Sequence, residues 1–199
     1  MNKTKFCALF IAFLFSFSVF SQEVVYLKNP SFEDLPRHSS TPKGWQNCGF
    51  PGESGPDTQP GSFDVRALPM TGKSYLGMVA RDNDTYESVG QKLDGEMIAG
   101  QHYEFSIYLG RSELYLSADK NNPNQMVNHI TPLKLRIYGG NSQCDKAEML
   151  AESGMVINTR WLEYNFVLKP TQNFKYLILE AYYKTPTMFV YNGNILLDH

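Results

Sequence analysis

The chain has 199 residues, 18 Lys and Arg against 20 Asp and Glu, and a formal charge of −2. A balance this close to neutral excludes electrostatic capture of nucleic acid or of an anionic membrane surface. The length suits one domain with its own hydrophobic core.

Lys3 and Lys5 form a short basic region, and an almost unbroken apolar run follows from Phe6 to Phe20. That run is shorter than the ~20 residues a spanning helix needs, and Val19 and Ser21 sit at the usual positions before a cleavage point at Gln22. Residues 1–21 are therefore expected to be a secretory signal peptide, and residues 22–199 the mature domain. Thr4, Lys5 and Phe6 before Cys7 look nothing like a lipobox, so no lipid anchor is expected. Cleavage removes two lysines and no acids, which moves the formal charge from −2 to −4. No second stretch of spanning length follows, and no membrane insertion is expected after cleavage.

The stretch "NPSFEDLPRHSSTPKGWQNCG", Asn29 to Gly49, reads as two apolar strands joined by a polar loop, which leaves Glu33 and Cys48 without a role. Cys48 and Cys144 are the cysteines of the mature chain. Neither lies in a CxxC or beside a histidine, and export places them in an oxidising compartment, so a disulfide is expected and metal ligation is not. Residues 50–73, "FPGESGPDTQPGSFDVRALPMTGK", are too rich in Gly and Pro for a helix or a central strand and are expected to be a long loop.

Segments of two-residue period begin at "SYLGMVA" and "ESVGQKL". "HYEFSIYL" sets Tyr103, Phe105, Ile107 and Leu109 against a polar face, and "LKLRIYGG" does the same with Leu133, Leu135 and Ile137. Between them, "SADKNNPNQMVNHITP" reads as a polar insertion loop. "CDKAEMLAES" has helix formers and an acidic start, which points to a short helix or a turn. "WLEYNFVL", "YLILEAYY" and "NILLD" complete a set of at least eight strands. Strands without helices between them predict an all-β, antiparallel β-sandwich.

No GxSxG, HExxH or P-loop occurs, and His38, His102, His129 and His199 have no partner at a ligand-like spacing. A non-catalytic binding module is therefore expected. Trp45 and Trp161 stand where such sandwiches place core side chains.

Taken in order, "NPSFE", "GW", "TGKSYLGM", "ESVGQKL", "GQHYEFSIYLGRS", "WLEYNFVL" and "NILLD" resemble the carbohydrate-binding-module-like jelly rolls of the galactose-binding-like superfamily, in their secreted Bacteroidetes form. The resemblance covers nearly all of the mature chain. It implies a glycan or cell-envelope component as partner, and a secreted, periplasmic or envelope location in a Gram-negative bacterium. It also implies a structural calcium ion held by Glu33 near the first strand and Asp198 on the last, with loop carbonyls completing the six to eight oxygens calcium takes. A structural or adhesion domain meeting a protein partner is the alternative that the fold alone leaves open.

For the glycan, the residues left on the polar strand faces are the candidates. Tyr108, Arg136, Tyr138, Glu180 and Tyr182 share one face if their strands are neighbours, offering rings for stacking and charges for hydroxyls. Tyr86, Glu87, Arg111 and Tyr115 are expected at its rim.

Overall fold

A computed structural model of the chain describes residues 24–119 and 122–199. The expected signal peptide lies outside the described residues. The strands are, in chain order, β1 (Gln46–Asn47), β2 (Asp57–Gln59), β3 (Tyr75–Ala80), β4 (Ser88–Met97), β5 (Tyr103–Gly110), β6 (Leu116–Ala118) and β7 (Met126–Asn128). They continue as β8 (Thr131–Pro132), β9 (Lys134–Gly140), β10 (Glu148–Glu152), β11 (Leu162–Leu168), β12 (Phe174–Tyr182) and β13 (Gly193–Asp198). Two sheets stack as an antiparallel β-sandwich: β1-β4-β12-β9-β10 in one, β11-β5-β13-β3-β2 in the other, with β8 running parallel to β13 at its edge.

Two-residue periodicity decides which side chains meet between the sheets. Leu135 and Ile137 of β9 face inward beside Leu177, Leu179 and Ala181 of β12, and all five are at most 2% exposed. Ile107 and Leu109 of β5 close on them from the other sheet. Each such burial is worth about 1.5–3 kcal/mol before conformational entropy is set against it. β3 and β13 are buried along their whole length, on both faces. Their outer face is covered by a satellite cluster of Val65, Tyr75, Val79, Tyr115 and Leu196, with Phe63, Ala67 and Trp161 packed against it. Double-sided burial is why "YLGMVA" and "NILLD" read as apolar runs rather than clean alternation.

Three local expectations differ from the structure. Residues 148–152 form β10, antiparallel to β9 with a bulge between Met149 and Ala151, and not a helix. Leu150 and Ala151 pack on the core, so tertiary burial overrides a weak helical propensity. The insertion loop contains a hairpin, β6 with β7, and the long Gly/Pro loop contains β2, which pairs with β3. Trp45 is a core residue, 5% exposed and stacked on Phe32. Trp161 instead lies half-buried on the outer face of the second sheet, edge-on to Tyr75, with its ring N–H donated to the Leu68 carbonyl at 2.8 Å.

Candidate functional site

Four of the sequence candidates do share one face. In the β9–β12 pairing Arg136 stands opposite Glu180 and Tyr138 opposite Ile178, which puts Arg136, Tyr138, Glu180 and Tyr182 on the outer surface of the five-stranded sheet. Tyr86 joins them, edge-on to Tyr182 with ring centroids 5.0 Å apart. Arg136 lies 3.4 Å over the Tyr182 ring.

The charges of this face are spent on one another. Glu152 accepts from Lys134 at 2.6 Å and from Arg136 at 2.7 Å. Burial alone would raise the Glu152 carboxyl, but these hydrogen bonds outweigh it and hold the group below its ordinary range. Glu180, whose side chain is 2% exposed, accepts from the Tyr138 hydroxyl at 3.0 Å and forms an ion pair with Lys146. Lys146 comes from the loop that the Cys48–Cys144 disulfide fastens across the sheet.

Tyr108 and Arg111 do not belong to this face. Tyr108 is on β5 of the other sheet, opposite Glu163 and Asp198. Arg111 turns its guanidinium to three backbone carbonyls, those of Ile157, Ser112 and Ile130, and ties loops together at a strand end. Glu87 and Tyr115 are buried and belong to a different place.

That place is a cavity of about 340 Å³ at one end of the sandwich, where the turn after β2, the β3–β4 loop, the β6–β7 hairpin and the start of β13 meet. Its aromatic wall is Phe63, stacked on Tyr115 with centroids 4.7 Å apart and planes 19° from parallel. Phe63 holds a left-handed backbone, φ 54°. For a bulky residue this conformation costs on the order of 1–3 kcal/mol and persists only where neighbours enforce it. Gln59 does so: wholly buried, its side chain accepts from Ser62 N at 3.1 Å and donates to Ser62 O at 3.3 Å.

Behind the aromatic wall lies a buried acidic layer. Tyr115 donates its hydroxyl to Asp57 at 3.3 Å, and Asp57 also accepts from Ser39 N at 2.7 Å and faces His38 at 3.1 Å. Glu87 accepts from Val79 N at 3.1 Å and pairs with Arg81. Arg81 also reaches Ser54 Oγ at 2.8 Å and Glu53 at 3.7 Å. Burial pushes Asp57 above its usual range, and it pushes Glu87 up to about 8, with Arg81 offsetting only part of the effect. Both acids are 2% exposed and brace the floor, while Asp82, Asn83, Asp119, His129 and Asn192 line the opening. A second cavity, about 420 Å³, opens between the sheets and has largely aliphatic and aromatic walls, including Leu27, Leu93 and Phe105.

Sequence reasoning missed Phe63, Arg81, Asn83 and Asn192 because they lie in loops without periodicity. The available signal was one Phe isolated between Gly61 and Asp64 in a loop otherwise poor in large side chains.

Glu33 and Asp198, the expected calcium ligands, converge on the segment Met70–Ser74. Asp198 accepts from Met70 N, Thr71 N, His199 N and the Thr71 hydroxyl, at 2.7–3.3 Å. Glu33 accepts from Lys73 N at 3.0 Å and Ser74 N at 3.4 Å. Gly72, at φ 60°, leaves room for this clasp, since a Cβ there would stand 2.0 Å from Glu33 Oε1. Burial raises Asp198, and its backbone donors offset only part of that. With N–H and O–H groups on four acceptor positions, Asp198 as placed fits a hydrogen-bonded clasp and not a calcium shell, which needs oxygen neighbours. Among the described residues no group of three or more His, Cys, Asp or Glu converges to hold a metal ion.

No protein-family profile and no curated protein matches the sequence. Solved structures match the fold. The K2 cleaved adhesin domain of Lys-gingipain is similar with a TM-score of 0.53 and 12% identity, over 88% of this chain and 96% of that one. The K1 adhesin domain of the same protein from Porphyromonas gingivalis W83 matches at 0.49 and 11%, over 88% and 95%. A family 29 carbohydrate-binding module from Piromyces equi matches at 0.39 and 13%, over 82% and 81%. At these identities the likeness concerns the sandwich alone.

Proposed function

We propose that this chain is a non-catalytic carbohydrate-binding module of the galactose-binding-like type, carried by an exported protein of a Gram-negative bacterium, and that it takes its glycan in the loop-end cavity. The observation that carries the reading is the stacked Phe63–Tyr115 wall in a cavity of about 340 Å³ with a polar rim. Flat rings suit the CH face of a pyranose, and Asp82, Asn83, Asp119 and Asn192 supply acceptors for its hydroxyls. The volume lies within the ~300–1,000 Å³ usual for small-ligand sites. On the sheet face, by contrast, the charged groups are already paired. Export is supported by the apolar run at residues 6–20 and by the bonded cysteines.

A glycan array followed by calorimetry tests this reading. Phe63→Leu, which keeps apolar volume but loses the ring, should abolish binding with the melting temperature nearly unchanged, while Tyr182→Ala on the sheet face should leave binding intact. The reverse pattern would move the site to the sheet.

A second reading, adhesion to a protein partner, is favoured by one feature. Met188 and Phe189, at the tip of the β12–β13 loop, are 90% and 79% exposed. Apolar side chains this open on a loop tip suit a contact surface. Loss of cell-surface attachment in a Met188→Ser/Phe189→Ser variant with unchanged glycan binding would favour it.

A further inference from the structure

We infer that the loop-end cavity selects by charge, taking uncharged or amine-bearing sugars and turning away uronates and sulfated sugars; the inference rests on the glycan reading above. Among the lining side chains Arg81 is the permanent cation, and its guanidinium is committed to Glu87, Glu53 and Ser54. Arg81 is 17% exposed, so little of that charge reaches the opening. The Tyr115 hydroxyl, the floor's other strong donor, is turned away from the lumen to Asp57. Asn83 donates its amide to Glu53 at 2.8 Å. Donors are thus spent, and what the rim offers is acceptors.

An arriving carboxylate or sulfate meets Asp82 and Asp119 at the opening, with Asp57 and Glu53 close behind. The apolar walls of Phe63, Val79 and Ala80 lower the local dielectric and strengthen the repulsion. Anion recognition calls for unspent guanidinium or N–H donors, and those pointing here are already paired. A neutral sugar brings the complementary groups, since its hydroxyls donate to the two aspartates. An ammonium substituent adds attraction to the same pair.

The test uses matched pairs on the full exported chain: oligogalacturonate against its carboxyl-reduced form, a sulfated glucan against the unsulfated one, and a chitosan oligomer against its N-acetylated form, each titrated at low and at high salt. The expected result is binding of the neutral members, with the anionic members weaker by about tenfold or more and the gap closing as salt screens it. Asp82→Asn and Asp119→Asn should narrow the ratio within each pair. Equal or tighter binding of the anionic members would overturn charge selection and leave the glycan reading standing. Binding of neither member of any pair, with the fold intact, would overturn the glycan reading and this inference with it.

Discussion

Breaking the Cys48–Cys144 bond isolates one structural link whose cost can be worked out. The cysteines are 96 residues apart, and closing a loop of that length in the unfolded chain is worth about 4.7 kcal/mol by chain entropy. Part of the native anchoring survives without the bond. Cys48 N donates to Ser88 O at 2.8 Å, and its carbonyl accepts from Ser88 Oγ at 2.7 Å. The Lys146–Glu180 ion pair, two residues beyond Cys144, loses the tether that aims it. A net loss of roughly 3–4 kcal/mol should lower the melting temperature by on the order of 10 °C for a domain of this size. Calorimetry of the exported chain against a Cys48→Ala/Cys144→Ala variant, which leaves no stray thiol, measures it directly. Hydrogen exchange in residues 142–147 should rise in parallel. A shift below about 2 °C would refute the reasoning, because the unfolded chain would then gain little freedom from losing the link.

Other perturbations probe the clasp, the buried acids and the sheet face. Asp198→Asn turns an amide toward backbone donors and should cost about 1–3 kcal/mol, and Gly72→Ala should act in the same direction by forcing Glu33 away. Denaturation with calcium and with a chelator should give equal melting temperatures for a donor-filled clasp, whereas a rise with calcium would show the loop giving way to an ion. Glu87 has a folded-state pKa raised from 4.5 to about 8, so its stabilisation is full below about 4.5 and is lost as pH rises through about 8. Glu87→Gln should therefore flatten the decline of melting temperature between those values, with the residual slope left to Asp57; an unchanged profile would contradict the buried-acid account. Arg136→Ala removes a partner of Glu152 and the cation over Tyr182, and urea titration should show a loss of about 1–3 kcal/mol without effect on glycan binding.

The sandwich was legible because its core strands alternate with period two, and the inward sets read from β5, β9 and β12 are the ones that meet. β10 was not, since its helix-forming letters compete with a burial that only the neighbouring β9 creates. Arg136, Tyr138, Glu180 and Tyr182 could be grouped from strand phase alone. Phase also misled with Tyr108, because it tells which face a residue takes within its own strand but not which sheet the strand joins. The cavity was illegible for a related reason. Phe63, Arg81 and Asn192 come from loops 18 and 111 residues apart in sequence, and what brings them together is strand order, not spacing.

Mapping the site by nuclear magnetic resonance during titration with a glycan found to bind tests the central claim most directly. Cavity binding predicts that the largest shifts fall on Phe63, Arg81, Asn83, Tyr115 and Asn192, with Tyr138, Glu180 and Tyr182 unmoved. Largest shifts on β9 and β12, with the Phe63 turn silent, would contradict it.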